Sequence, residues 1–363
     1  EDIVNMQNDI KKCVIINELI KLPENRLNIE LEKLGGLSNI NYIGIIKDTS
    51  TNSVVFKVLY RKFGVLSDSV NHNLEVKIAN YLNKKGLSPK VYYEDPNGKY
   101  RIEELIDGAK NIEREKGLDP PLVNQIIKIL NEYNLFTYTY KYINQGDKVK
   151  LTKVDDGLNS EKFEISQNYY EHTMNWHNKA QEAFGKFAKE FKEKVNKDKN
   201  PKEYEDFELA KYYLDNFKQI YSKLFPNQGF LTFNHNDVHR LNFLLRNKDN
   251  KLFIIDHEYA FLGLPGNDWA NYSNETFFNY EPIYYCTLDK INFDKTYEFY
   301  REFIQEFVDN HKFIEKEEGG KEFLNMIQTK EYFIRLHNII NMFWFVWSFC
   351  YIDFSVWEKD RYK

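Results

Sequence analysis

The stretch FNHNDVHRLNFLLRNKDNKLFIIDHEY, Phe233 to Tyr259, decides how the rest of the chain is read. Two polar clusters, His235-Asn236-Asp237 and Asp256-His257-Glu258, each follow an apolar run, Gly229 to Phe233 and Lys251 to Ile255. Such runs predict short buried strands. Ionisable groups at the end of a buried strand are costly unless a partner or a ligand meets them, so both clusters are candidate chemistry. Between them, Arg246-Asn247-Lys248-Asp249-Asn250 has the composition of a hairpin turn.

The order is H-x-D-x-x-x-x-N followed by I-D, with Asn242 five residues after Asp237 and Asp256 beyond the hairpin. It resembles the order of parts in a protein-kinase-type phosphotransferase. There one Asp takes the proton of the attacking hydroxyl, and an Asn and a second Asp hold magnesium over the phosphates. Those parts correspond here to Asp237, Asn242 and Asp256. Oxygen ligands of this kind suit Mg2+, which keeps several waters as well. A rival pattern takes His235, Asp237 and His239, at i, i+2 and i+4, as three metal ligands on one strand face. That rival leaves Asn242 and Asp256 without a task.

The segments His235-Asn236-Asp237 through Asn242, Ile255 to Tyr259, and Asn267-Asp268-Trp269-Ala270-Asn271 with Glu275 together resemble the choline/ethanolamine kinase family. Its motifs run H-N-D-x-x-x-x-N, I-D-F-E-Y and D-x-x-N-x-x-x-E in that order. The resemblance implies an α+β, protein-kinase-like two-lobed fold, with a small β-rich N-lobe over 1–106 and a large, mainly helical C-lobe over 107–363. It implies ATP-dependent phosphorylation of choline, or alternatively ethanolamine, with Mg2+. Two further alternatives are an aminoglycoside-type phosphotransferase using the same three residues and an ATP-binding scaffold without catalysis.

Elsewhere the residues divide between local structure and the family's roles. Gly35-Gly36-Leu37-Ser38-Asn39 is a turn whose glycines let backbone approach an anion. By resemblance, Gly35, Gly36, Ser38 and Asn39 cover the ATP phosphates. Val54 to Tyr60 is a β-branched and aromatic strand; the family's K-V-L-x-R-x-x-G begins at Lys57 and makes Arg61 the phosphate cation. Asn73 to Lys84 has helical spacing, and Glu75 near its start stands where the family pairs a glutamate with the strand cation. Glu104, in Glu103 to Ile106, falls at the adenine hinge.

Helices are expected over Ile10 to Leu22, Leu122 to Phe136, Gln167 to Val195, Glu203 to Phe225 and Glu322 to Ile352, and a mobile insert over Asn144 to Asn159. His172 and His177 read as structural or exposed. Asp268 is either the N-cap of the helix that follows or, by resemblance, the group that holds the Asp237 loop. In the last helix Trp344 and Trp347 share a face. Alone this is a core stripe; the resemblance makes it an aromatic cage for an ammonium group, each face worth about 0.5–2 kcal/mol when desolvated. Glu258, Tyr259, Glu275 and Tyr280 complete the substrate set. The sequence departs from the family at His257 (for Phe), His239 (for Gln) and Leu241 (for Gly), and Phe354-Ser355-Val356-Trp357 stands where another substrate-facing tyrosine is usual.

Composition sets the outer bounds. The chain has 363 residues, 42% hydrophobic and 16% aromatic, enough for one large domain or two lobes. With 50 basic against 55 acidic residues and net charge −5, it carries no basic footprint for nucleic acid. Cys13, Cys286 and Cys350 lie far apart, which fits a reducing, cytoplasmic setting better than a disulfide framework. The apolar stretch Ile339 to Ile352 is too short for a membrane span, and EDIVNMQNDIKK lacks the basic start and apolar stretch of a signal peptide. The family is often dimeric, so the resemblance extends to a homodimer.

Overall fold

The structure, a computed structural model, describes residues 2–34, 39–63, 72–136, 139–146, 148–154, 168–279, 285–286, 290–353 and 355. In chain order they form α1 (Asp2–Ile16), β1 (Leu27–Leu34), β2 (Asn39–Asp48), β3 (Ser53–Phe63), α2 (His72–Lys84), β4 (Val91–Glu94), β5 (Tyr100–Glu104), β6 (Ala109–Asn111) and α3 (Pro120–Leu135). There follow β7 (Tyr140–Gln145), β8 (Lys148–Lys153), α4 (Tyr169–Lys194), α5 (Pro201–Asp215), α6 (Phe217–Leu224), β9 (Gln228–Asn234), β10 (Phe243–Arg246) and β11 (Lys251–Ile254). The last elements are β12 (Phe261–Gly263), α7 (Asn267–Phe277), the short strands β13 (Phe278–Asn279) and β14 (Tyr285–Cys286), then α8 (Lys290–Asn310), α9 (Gly320–Ile327) and α10 (Lys330–Cys350).

The chain divides into two compact units, 1–132 with 239–260, and 133–238 with 261–363. The lobe boundary read from the sequence, 106/107, is a different division and stays a proposal. In the first unit, five antiparallel strands run in the order β1-β2-β3-β5-β4. Helix α1 packs on this sheet because Met6, Ile10, Cys13 and Val14 recur at helical spacing and are buried with Ile29, Ile46, Val58 and Ile102. A smaller sheet, β11-β10-β6, belongs to the same unit. In it the anticipated hairpin is real, Phe243 pairing with Ile254 and Arg246 with Lys251.

The second unit is mainly helical, around the sheet β12-β9-β7-β8. Its strand β9 is buried from Gly229 to Asn234. Helix α10 packs along α4 and α7, burying Phe333, Leu336, Ile340, Phe343 and Val346.

Four expectations about elements need correction. The first helix spans Asp2–Ile16 rather than Ile10 to Leu22, because Glu18 turns left-handed at φ 50° and the chain beyond it is extended. Glu203 to Phe225 is two helices; the Asn216 carboxamide donates to the Tyr212 carbonyl at 2.8 Å, competing with the helix ladder at the break. Glu322 to Ile352 is likewise two, since Thr329 caps a new helix by accepting the Tyr332 N–H at 3.2 Å. Of the insert, 144–153 is largely the β7–β8 hairpin, turning at Gly146 with φ 72°, and 155–159 lies outside the described residues. The mostly exposed pattern of β8 hid the strand from a hydrophobicity reading.

Candidate active site

The chain passes from the second unit to the first between Val238 and His239, inside the H-N-D-x-x-x-x-N motif. Asp237 therefore belongs to the second unit, and Asn242 and Asp256 to the first.

In the second unit, β9 delivers His235-Asn236-Asp237 at its end. His235 is fully buried with its ring against Tyr133, and its Nδ1 accepts the Asp237 N–H at 3.3 Å. Asn236 is left-handed, with φ 63°. Asp268, in the first turn of α7, accepts the N–H of His235 and of Asn236, each at 2.8 Å. Asp268 lies inside the first turn of α7 rather than at its N-cap, and it uses its two oxygens on the loop that presents Asp237. Burial pushes its carboxyl up to about 7, against the two N–H donors that hold it down, with the Asp237 charge raising it further. Asp237 is half-buried.

The first unit carries the other parts. Asn242, 5% exposed, closes the short turn Arg240–Asn242 immediately before β10, and its carbonyl accepts the Ile255 N–H at 3.0 Å. That bond pins Asn242 beside the end of β11, where Asp256 stands. Asp256 is itself left-handed, at φ 66° and ψ 64°, a conformation rare in a non-glycine residue and concentrated at functional sites. Its Oδ1 accepts from Arg61 at 2.7 Å. Arg61 also faces Glu103 at 3.9 Å, Glu103 pairs with Arg101, and Arg101 pairs with Glu75 at 2.8 Å. Burial works against the Arg61 charge, but Glu103, Asp256 and Glu75 together raise its pKa above the ordinary value.

Glu75 at the start of α2, expected to pair with the strand cation Arg61, instead has its 2.8 Å ion pair with Arg101 of β5. Arg101 went unnoticed in the sequence, and Glu103 was read only as the start of the hinge segment. Their signal is alternation: Arg101 and Glu103 lie two apart on one face of β5, facing the strand that carries Arg61, since Arg61 pairs with Arg101 in register. A recess of about 220 Å³, open to solvent, is lined by Arg61, Ser88, Arg101, Glu103, Asp256 and His257. His257, in place of the usual Phe, is buried and bonds through Nε2 to the Ser88 hydroxyl at 3.1 Å.

The remaining expected residues are distributed as follows. Gly35, Gly36 and Ser38 lie outside the described residues, as does Tyr280. Asn39 is buried at the start of β2 and its carboxamide donates to Glu258 at 3.5 Å. Glu104 gives its N–H to the Lys90 carbonyl at 2.8 Å and takes the Lys90 N–H on its carboxylate at 3.0 Å. Tyr259 closes the short turn His257–Tyr259 in the first unit. Glu275 is half-buried on α7. Trp344 and Trp347 are half-buried on α10, edge to face with ring centroids 5.6 Å apart. They are not the core stripe of that helix, which is Phe343 and Val346. The Trp344 indole N–H is fixed on Asn271 Oδ1 at 3.0 Å. His172 and His177 are structural, His172 lying among Trp176, Phe261 and Phe343 and His177 bonding the Leu214 carbonyl at 2.8 Å.

His239 Nδ1 accepts the Leu241 N–H at 3.2 Å, as His235 Nδ1 accepts that of Asp237. Among the described residues, no group of three or more His, Cys, Asp or Glu side chains is placed to hold a metal ion.

A family model, choline/ethanolamine kinase, matches residues 32–361. The chain belongs to the choline/ethanolamine kinase family. It is accordingly a phosphotransferase of that family with a protein-kinase-like fold, β-rich towards the N-terminus and helical towards the C-terminus. Among solved structures, it is similar to a choline kinase from Cryptosporidium parvum Iowa II, at 17% identity over 96% of this chain and 92% of that one, TM-score 0.59. It is also similar to an ethanolamine kinase from Plasmodium vivax, at 19% identity over 94% and 81%, TM-score 0.54. A third is the choline kinase LicA from Streptococcus pneumoniae, at 16% identity over 99% and 96%, TM-score 0.53; LicA has also been solved with AMP. At these identities the structures speak for the fold. A comparison with curated protein sequences finds no match. Among the described residues no helix is long and apolar enough to cross a membrane.

Proposed function

We propose that this family member is a choline kinase, transferring the terminal phosphoryl group of ATP to the hydroxyl of choline to form phosphocholine, the first step towards phosphatidylcholine, in the cytoplasm. Asp237 orients the hydroxyl and takes its proton. The hydroxyl oxygen forms the new bond to phosphorus, the bond to the bridging oxygen breaks, and ADP leaves. Arg61 neutralises phosphate charge together with the Gly35, Gly36, Ser38 and Asn39 turn, while the hinge at Glu104 meets adenine. Little covalent chemistry falls to the protein, so catalysis is mostly positioning and electrostatics.

The residues fit magnesium. A carboxylate and a carboxamide are hard oxygen donors, Asn242 is pinned beside Asp256, and the Asp256 side chain keeps 26% of its surface exposed. Asn242 and Asp256 would hold the ion, with Glu258 as a further contact. When bound, magnesium supplies neutralisation of the charge that develops on the phosphate oxygens.

The observation that carries choline as the acceptor is the tryptophan pair. Trp344 and Trp347 are half-buried rather than core, and Trp344 has its polar edge committed to Asn271, so what it has left to offer is ring face. Faces of this kind attract a quaternary ammonium. Tyr259, Glu275 and Tyr280 complete the acceptor site.

The test is coupled ADP release with Mg·ATP, choline and ethanolamine competing. Preference for choline supports the reading; preference for ethanolamine replaces the acceptor, and silence on both rejects the activity. Asp237→Ala should lower kcat by about 10²- to 10⁴-fold, as loss of an acid–base group does; near-normal turnover would remove Asp237 from its role.

A further inference from the structure

Asn271 stands in the D-x-x-N-x-x-x-E motif, yet the reading above gives it no chemistry. It lies on α7 one turn after Asn267, and is 2% exposed. Three side chains from this part of α7 converge on a single residue, Asn236. Asp268 Oδ1 accepts the Asn236 N–H at 2.8 Å, Asn267 Nδ2 donates to the Asn236 side-chain oxygen at 3.1 Å, and Asn271 Nδ2 reaches the Asn236 carbonyl at 3.5 Å. Asn236 is the left-handed residue immediately before Asp237. Such a conformation persists where its surroundings over-determine it, and here the N–H, the carbonyl and the side chain are all held by one helix.

The same Asn271 carboxamide faces the other way as well. Its Oδ1 accepts the Trp344 indole N–H at 3.0 Å. The seat of Trp344 is specific, because α10 is keyed to α7 by further polar pairs along one stripe. Asn274 donates to Asn341 at 3.2 Å, and His337 bridges Ser273, at 3.0 Å, and Asn274. Residues 337, 341 and 344 fall at i, i+4 and i+7, one face of the helix. Apolar packing alone tolerates small rotations of a helix. A polar seam whose α7 members and His337 are buried favours one register, since a slip strands a buried donor or acceptor out of water.

We propose that Asn271 is a positioning residue that joins the acceptor site to the catalytic loop: one carboxamide sets the Trp344 ring with its oxygen and the backbone before Asp237 with its nitrogen. The seating of the ammonium group and the alignment of the base are thereby coupled. This rests on the reading of Trp344 as an ammonium-binding ring and of Asp237 as the base.

Two substitutions cut the tie at different ends. Asn271→Asp keeps an oxygen for the Trp344 N–H and loses the donor to the Asn236 carbonyl. Trp344→Phe keeps an aromatic face and loses the N–H. Steady-state kinetics at saturating Mg·ATP, with choline or ethanolamine varied, should separate them. Asn271→Asp should leave the acceptor KM within about threefold and lower kcat at least about tenfold, the signature of an interaction felt in the transition state. Trp344→Phe should raise the acceptor KM about tenfold with the KM for ATP unchanged, and lower kcat several-fold because the tie is lost.

A purely structural Asn271 would lower the melting temperature without this split. An Asn271→Asp kcat within threefold of the unaltered protein, or KM and kcat moving in proportion, overturns the proposal. If Asn271→Asp does not fold, Trp344→Phe decides alone, and an unchanged kcat there overturns it. Silence of the unaltered protein on both amino alcohols overturns the functional reading and this inference together, whereas normal turnover without the split overturns the inference only.

Discussion

Arg101 keeps its charge at 1% exposure because Glu75 and Glu103 flank it, and the pair of acids outweighs the burial that opposes the guanidinium. Removing one member of such a set leaves an uncompensated buried charge. Arg101→Met should therefore destabilise the fold by about 3–5 kcal/mol, read as a fall in the urea midpoint. Asp268 gives a pH signature of opposite origin. Its carboxyl is raised from 3.8 to about 7 in the folded chain, so between those values the folded state binds the extra proton. The associated stability is complete below about pH 4 and is lost as pH rises through about 7, an effect on the order of 4 kcal/mol at most. Stability of the unaltered protein measured relative to Asp268→Asn should accordingly decline from pH 5 to pH 8; a flat difference would show that the two N–H donors hold Asp268 ionised throughout. At this scale the sequence was informative where a residue type has few uses at a strand end, as with Asp237 and Asp256. It was silent on Arg101, and it gave Glu103 only a place in the hinge and Asn271 only a place in a motif, because their contacts depend on what lies across a sheet or between two helices.

Among the elements, α7 has narrow tolerances, since its first turns hold the loop before Asp237 while α10 packs beside it. Gly266, immediately before it, has φ 86°, and an added Cβ would lie 2.8 Å from the Tyr300 ring and 3.0 Å from Leu336. Gly266→Ala should cost about 2 kcal/mol or more, combining left-handed strain with overpacking, and should lower kcat with the same substitution. Thermal melts together with turnover would check it, and an unchanged melting temperature would show that the helix start can shift freely. The β10–β11 hairpin was legible because two short apolar runs, Phe243 to Leu245 and Leu252 to Ile254, flank a turn-forming Asn-Lys-Asp-Asn segment. The β7–β8 hairpin was not, because only one of its strands is substantially covered and the other keeps its polar face in water. Helix lengths over 203–225 and 322–352 were overestimated for a related reason: apolar spacing continues through a break that one Asn or Thr side chain makes by hydrogen bonding to the backbone.

For the whole molecule, binding of nucleotide and metal is linked to folding, because a ligand that prefers the folded chain adds to its stability. Mg·ATP at a hundred times its dissociation constant should stabilise by about 2.7 kcal/mol, seen as a rise in melting temperature that chelation of magnesium reverses. No rise with Mg·ATP would argue against the assignment of Arg61, Asn242 and Asp256. The sequence by itself determined the class of the fold and the identity of its ionisable parts. H-N-D, N, I-D and D-x-x-N-x-x-x-E are short, local and constrained by chemistry that few residue types can perform, so their order survives in the string of letters. Only the tertiary structure decided which charges neutralise one another along Glu75, Arg101, Glu103, Arg61 and Asp256, and that Trp344 and Trp347 leave the core to Phe343 and Val346. Only there, too, does one asparagine meet both a tryptophan and a loop backbone. Apart from the Arg101–Glu103 pair, these are distances between residues tens of positions apart, and they are fixed by packing and by the cost of leaving a buried polar group unpaired rather than by any local preference of the chain.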